Sequence, residues 1–148
     1  MKKLLAAAVI AAAPFAAMAG TVSDDFTITA NVAEKCVILS GPADITVNYD
    51  PFDTNPVTAS TSVDYDCVKQ TTYDITVQGQ NGVLTGATYG ESLTYNLTTN
   101  PASLTGLTDT NGIVAGTPET LTIDVEIPPG QNVSVDTYTE TVDVTITY

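Results

Sequence analysis

Cys36 and Cys67 are the residues of this chain with the widest chemical repertoire, and they are its only cysteines. A catalytic thiolate needs a base or cation beside it, and a structural zinc wants four ligands. The chain has no histidine, so neither a Ser-His nor a Cys-His pair can be built. In an exported chain two such cysteines default to a disulfide, with a metal pair as the minor alternative. Closing a loop of this length stabilises a fold by roughly 3 to 4 kcal/mol in the chain-entropy model. The remaining bases are carboxylates and lysines. Asp64 and Asp66 alternate with Val63, Tyr65 and Cys67, which places them on the solvent face of a strand rather than across a cleft as a glycosidase pair. Asp50, Asp53 and Asn55, or Asp109 with Asn111, supply oxygen ligands in loops, but neither set has a defined calcium-loop spacing, and Asp and Asn beside Pro and Gly are turn formers. The expectation is therefore no catalytic residue, no metal site, no cofactor and no small-molecule substrate. Asn96-Leu97-Thr98 and Asn132-Val133-Ser134 fit the glycosylation sequon, but Asn96 falls within an alternating run expected to be a strand, and both read as chance matches.

The elements that must carry these residues begin after residue 19. Lys2 and Lys3, the apolar run from Leu4 to Ala13, and Ala17-Met18-Ala19 have the order of a secretory signal peptide and its cleavage site. The apolar run is far too short to span a bilayer, which takes about 20 residues. Residues 1–19 are expected to be removed, leaving a mature chain from about Gly20. The formal charge is −13, from 4 Lys and Arg against 17 Asp and Glu. Losing Lys2 and Lys3 leaves 2 against 17, or −15. So acidic a chain cannot neutralise phosphates and has no basic face for an anionic membrane, so nucleic acid is excluded as a partner. Apolar residues make up 43% of the chain and charged ones 14%, which is enough to build one core of ordinary size.

No helical period follows the leader. Short runs of Val, Ile, Thr and Tyr alternate with polar residues between Gly, Pro and Asn clusters, the pattern of an all-β sandwich. The inward sets are Ile45, Val47 and Tyr49; Val63, Tyr65 and Cys67; Tyr73, Ile75 and Val77; Leu93, Tyr95 and Leu97; Leu121, Ile123, Val125 and Ile127; and a last run of Tyr138, Val142, Val144, Ile146 and Tyr148. Residues 79–82 form a turn cluster, residues 100–112 a loop or short edge strand, and Pro128-Pro129-Gly130 forces a stop.

The N-terminal run differs from the rest in being separable. Val22, Phe26, Ile28, Ala30 and Val32 alternate with Ser23, Asp25, Thr27, Thr29 and Asn31, directly after the cleavage site and before Cys36. Strand addition to another molecule asks for such a segment: extended, free of Pro and Gly, with large apolar side chains at alternate positions. On pattern alone, the same residues serve equally as the first strand of a self-contained domain. Full burial of Val22, Phe26, Ile28 and Val32 is worth about 6 to 12 kcal/mol gross, as much as a typical domain's whole stability of about 5 to 15 kcal/mol. A sandwich without this strand would be marginal and would expose a long edge.

The C-terminal third adds a resemblance. Ile127-Pro128-Pro129-Gly130-Gln131, then Tyr138-Thr139-Glu140-Thr141-Val142 and an alternating Val-Thr-Ile-Thr-Tyr end, is similar to the spore coat protein U domain family, which includes subunits of archaic chaperone–usher pili. Cys36, Tyr49-Asp50-Pro51, Cys67 and Leu93-Thr94-Tyr95-Asn96-Leu97 fall in the family's order, so the resemblance covers residues 36–148. It implies an incomplete Ig-like β-sandwich whose missing strand comes first from a periplasmic chaperone and then from the next subunit's N-terminal extension. On this chain that makes residues 20–35 the donor extension, residues 36–148 the pilin domain, Cys36 and Cys67 the disulfide, and the strand ending at Tyr148 the chaperone anchor. The implied partners are identical or related pilus subunits, a chaperone and an outer-membrane usher. The implied location is an extracellular, cell-surface pilus reached through the periplasm. Alternatives are an adhesive minor subunit binding a surface through residues 98–116, or a structural protein of a spore or cyst coat. Two features depart from many relatives: Glu126 stands where they carry Arg, and residues 98–112 lack an aromatic-rich stretch.

Overall fold

The computed structural model describes residues 20–79, 82–113 and 117–148. The leader expected over residues 1–19, the centre of the 79–82 turn and the end of the 98–116 loop lie outside the described residues. Contacts divide the chain into Met1–Asn31 and Val32–Tyr148. In the first unit, residues 20–31 join no strand, and their side chains are exposed.

The second unit is all-β, with ten strands and no helix among the described residues. They are β1 (Cys36–Ser40), β2 (Val57–Cys67), β3 (Thr72–Gln78), β4 (Val83–Gly86), β5 (Ser92–Thr94), β6 (Asn96–Asn100), β7 (Leu107–Thr108), β8 (Glu119–Ile127), β9 (Tyr138–Thr139) and β10 (Asp143–Thr147). Sheet order is β1-β2-β8-β6 on one side and β10-β3-β7 on the other, with a smaller sheet β5-β4-β9. The two larger sheets close on a common core as an all-β sandwich, with β10 paired on one side only among the described residues.

Alternation explains which side chains meet. In β3, Tyr73 and Ile75 are buried and Val77 half-buried, while Thr72, Asp74, Thr76 and Gln78 face out. β2 and β8 pair antiparallel over nine residues with Val63 opposite Leu121 and Thr61 opposite Ile123. Val63 and Leu121 are fully buried. The main core joins Cys36, Val63, Tyr65, Cys67, Leu121 and Ile123 of the first sheet to Tyr73 and Ile75 of the second. Within it the Tyr65 and Tyr73 rings meet edge to face at 5.7 Å and share a hydroxyl hydrogen bond of 3.2 Å. Burial pushes both phenols up, since a buried phenolate would lose its solvation. Leu93, Tyr95 and Ile127 make a second core.

Four expectations are corrected. The 93–97 run is two strands: Leu93 lies in β5 beside β4, Leu97 in β6 beside β8, and the chain changes sheet at Tyr95, whose N–H donates to the Gly82 carbonyl at 2.9 Å. The last run is also split, since β9 pairs with β4 and β10 with β3. Alternation reports which face is buried but not which neighbour completes the ladder, so a change of partner within one run leaves no trace in the pattern. Ile45, Val47 and Tyr49 are half-buried with exposed residues between them, as alternation requires, yet residues 41–50 join no sheet. Asp66 is also buried rather than on the solvent face. It sits opposite Val37 in the β1–β2 ladder, one step from the disulfide, where the strand crosses into the most enclosed part of the core.

Candidate functional site

The second sheet ends at β10, so the backbone of this strand is paired on one side only, to β3, among the described residues. Beside it runs a slot of about 880 Å³. One wall is the strand-free segment 42–49, with Ile45 and Val47 among its lining residues, and the other is the last run, with Tyr138, Glu140, Val142 and Val144. Its floor comes from the first sheet, through Val57, Ile123 and Val125. An edge strand over an apolar floor can accept an extended chain: its backbone groups take the ladder and its floor takes alternate side chains.

Glu91 and Asp136 hold the far wall in place. Asp136 accepts the backbone N–H of Thr88 at 2.7 Å and of Tyr89 at 3.0 Å, and Glu91 accepts that of Ser134 at 2.6 Å. The Ser134 N–H holds the Glu91 carboxyl below the usual range. Burial pushes Asp136 up, but the Tyr89, Thr88 and Thr137 amides together outweigh it and leave it lowered. A carboxyl whose folded value is depressed contributes fully above its ordinary pKa of about 4 and loses that contribution as pH falls through the folded value. The amide signals of Thr88, Tyr89 and Ser134 are therefore expected to hold down to about pH 4 and to shift together below it. In Asp136→Asn the acid transition at Thr88 and Tyr89 should vanish while that at Ser134 stays.

The residues singled out in the sequence are distributed as follows. Cys36 and Cys67 form the disulfide, directly opposite one another in the β1–β2 ladder. Val142, Val144 and Ile146 are half-buried along the last run, and Tyr148 is exposed. Val22, Phe26, Ile28, Ala30 and Val32 are all exposed. Asp109, weighed above as a calcium ligand, is buried and accepts the N–H groups of Cys67, Asn111 and Gly112. Its oxygens order the loop beside the disulfide. Asp50 caps its own turn through the Phe52 N–H.

The model of the Spore Coat Protein U domain matches residues 22–145. The chain belongs to the Spore Coat Protein U domain family. No curated protein matches it. Among solved structures it is similar to a crystal structure of the CsuC-CsuE chaperone-tip adhesion subunit pre-assembly complex from the archaic chaperone-usher Csu pili of Acinetobacter baumannii. That likeness has a TM-score of 0.47 at 20% identity, over 79% of this chain and 40% of that one.

Three of the stretches that carried the resemblance to the Spore Coat Protein U domain, around Tyr49, Thr94 and Gln131, meet in one clamp. Gly130 has a φ of +75°, a conformation glycine adopts without strain, and it turns the chain so that Gln131 faces β5. The Gln131 side chain accepts from the Thr94 N–H at 2.8 Å and returns a bond to the Thr94 carbonyl at 2.9 Å, while the Gln131 backbone N–H donates to the Tyr49 hydroxyl at 2.8 Å. Pro-Pro-Gly-Gln thus ties the strand-free wall, through Tyr49, to the small sheet. Sequence reading passed over one residue, Glu140. It occupies the inward phase of the last run, between Tyr138 and Val142, and it lines the slot. The phase was the signal, and the assumption that inward positions are apolar hid it.

Proposed function

We propose that this chain is a structural subunit of a secreted cell-surface pilus, polymerised when residues 20–35 of one copy fill the slot of the next. Residues 1–19 would be its leader and residues 36–148 the acceptor domain. The observation that supports this reading is an open, apolar-floored slot along the last run in a chain that also carries a strand-free segment with its alternating apolar side chains exposed. Membership of the Spore Coat Protein U domain family agrees with it. A sandwich that leaves β10 as an edge is prone to stray pairing, so the reading includes a periplasmic chaperone that occupies the slot first, pairing with the last run, and an outer-membrane usher that assembles the filament. No step in this cycle needs a catalytic group, a metal or a cofactor. Electron microscopy of cells lacking the gene is expected to show loss of their filaments and recovery on complementation. Undiminished filaments would remove it as a main subunit.

A further inference from the structure

The last run contains one inward acid, Glu140, and both of its carboxylate oxygens are buried with no hydrogen bond among the described residues. The Tyr95 hydroxyl lies beside it without an aligned bond, near enough for burial and then the carboxylate to push the phenol up. The space is tight as well. A Cβ on Gly79 would come within 2.5 Å of the Tyr95 hydroxyl and 2.9 Å of Glu140 Oε1. Glu140 thus puts a carboxyl with no hydrogen-bond partner among the described residues into a slot whose other inward lining positions on this run are Tyr138, Val142 and Val144. Whatever fills the slot must place something small there and no second negative charge.

We infer that Glu140 sets the direction and register of the strand that enters the slot, so that residues 22–32 of a second copy run antiparallel to residues 138–148 with Ala30 opposite Glu140. This rests on the exchange proposed above. The two rows are equally long, and each carries a single inward acid, Asp24 in the first and Glu140 in the second. Overlapped antiparallel, they bring Phe26 to Val144, Ile28 to Val142 and Ala30 to Glu140, the smallest inward side chain of one row against the buried charge of the other. Overlapped parallel, they bring Asp24 directly onto Glu140, two carboxylates with Cβ atoms about 5 Å apart in an apolar slot. The outward rows do not discriminate, since neither overlap sets acid against acid there: Asp143 meets Thr27 in both. Sliding the antiparallel strand by two residues keeps its faces but puts Ile28 or Val32 on Glu140, where a large apolar side chain would seal the carboxylate off from any donor. Every strand pair of the domain is itself antiparallel among the described residues.

Paired cysteines test the register in filaments assembled by the cells that make them. Ala30→Cys with Glu140→Cys is expected to give a ladder of covalent oligomers on non-reducing gels that collapses with reductant, and Asp24→Cys with Glu140→Cys to give none. The reverse result, or filaments in which neither pair links, overturns the register. An unaltered subunit that forms no polymer overturns the exchange itself, and this is visible before any cross-link is sought. Should the cysteine variants fail to fold, charge rescue decides. Ala30→Asp alone should lower incorporation at least tenfold, by the repulsion between closely placed carboxylates, and adding Glu140→Gln should recover most of it. An equal defect with and without Glu140→Gln would overturn the assignment.

Discussion

Phe26→Asp is expected to abolish polymerisation while the subunit remains folded. Phe26 is 85% exposed in this chain, with Val22 at 100% and Ile28 at 81%, so its ring contributes little to the fold of the subunit that carries it. Buried in the slot of another copy, the ring would contribute about 2 to 3 kcal/mol. A carboxylate in its place loses that term and adds the cost of burying a charge in an apolar slot. Even the first term alone is close to a hundredfold in affinity. The check has two arms: incorporation into filaments, followed on gels run without boiling, and thermal unfolding of the purified subunit. Loss of the polymer with an unchanged unfolding midpoint is the expected result. Normal filaments would refute the donor role of residues 20–35, and a lowered midpoint would show Phe26 to belong to its own subunit's core.

Cys36→Ser with Cys67→Ser is expected to lower the unfolding free energy by about 3 to 4 kcal/mol, the chain-entropy cost of opening a loop of this size. The sequence separation is 31 residues. Both sulfurs lie in the main core, where Cys67 is 1% exposed, so two serine hydroxyls there add a desolvation cost. The loss is a large part of a total of about 5 to 15 kcal/mol, and it falls on β1, the edge strand that the disulfide fastens to β2. Urea unfolding should show a lower midpoint with a nearly unchanged slope. The domain should suffer more than a sandwich with no open edge would, because β10 is paired on one side only among the described residues.

Much of the fold was legible because burial in a strand is a matter of local phase. Val63, Tyr65 and Cys67, then Tyr73 and Ile75, and Leu121 and Ile123 follow period two in the sequence and are the core in space. The cysteine pair was legible from its count together with the expected export, which made a disulfide the default over a metal pair, and the bridge forms. The separable character of residues 22–32 was also visible in one dimension, from a clean apolar row placed ahead of the first cysteine.

Tertiary structure alone decided what depends on neighbours distant in the chain. Tyr95 and Glu140 mark the places where one alternating run leaves one sheet for another, and nothing local distinguishes those residues from any other step of a strand. Gln131 reads as a turn residue until Thr94 and Tyr49 are seen on either side of it. The slot itself is a property of strand order, since β10 pairs with β3 alone among the described residues and is therefore an edge. Hydrophobic phase follows from the geometry of each strand's own backbone, whereas pairing is a choice among many distant backbones of equal hydrogen-bonding capacity. That is why the sequence determined which side chains point inward, and only the folded domain decided that one of them, Glu140, points into a slot where no hydrogen bond meets it among the described residues.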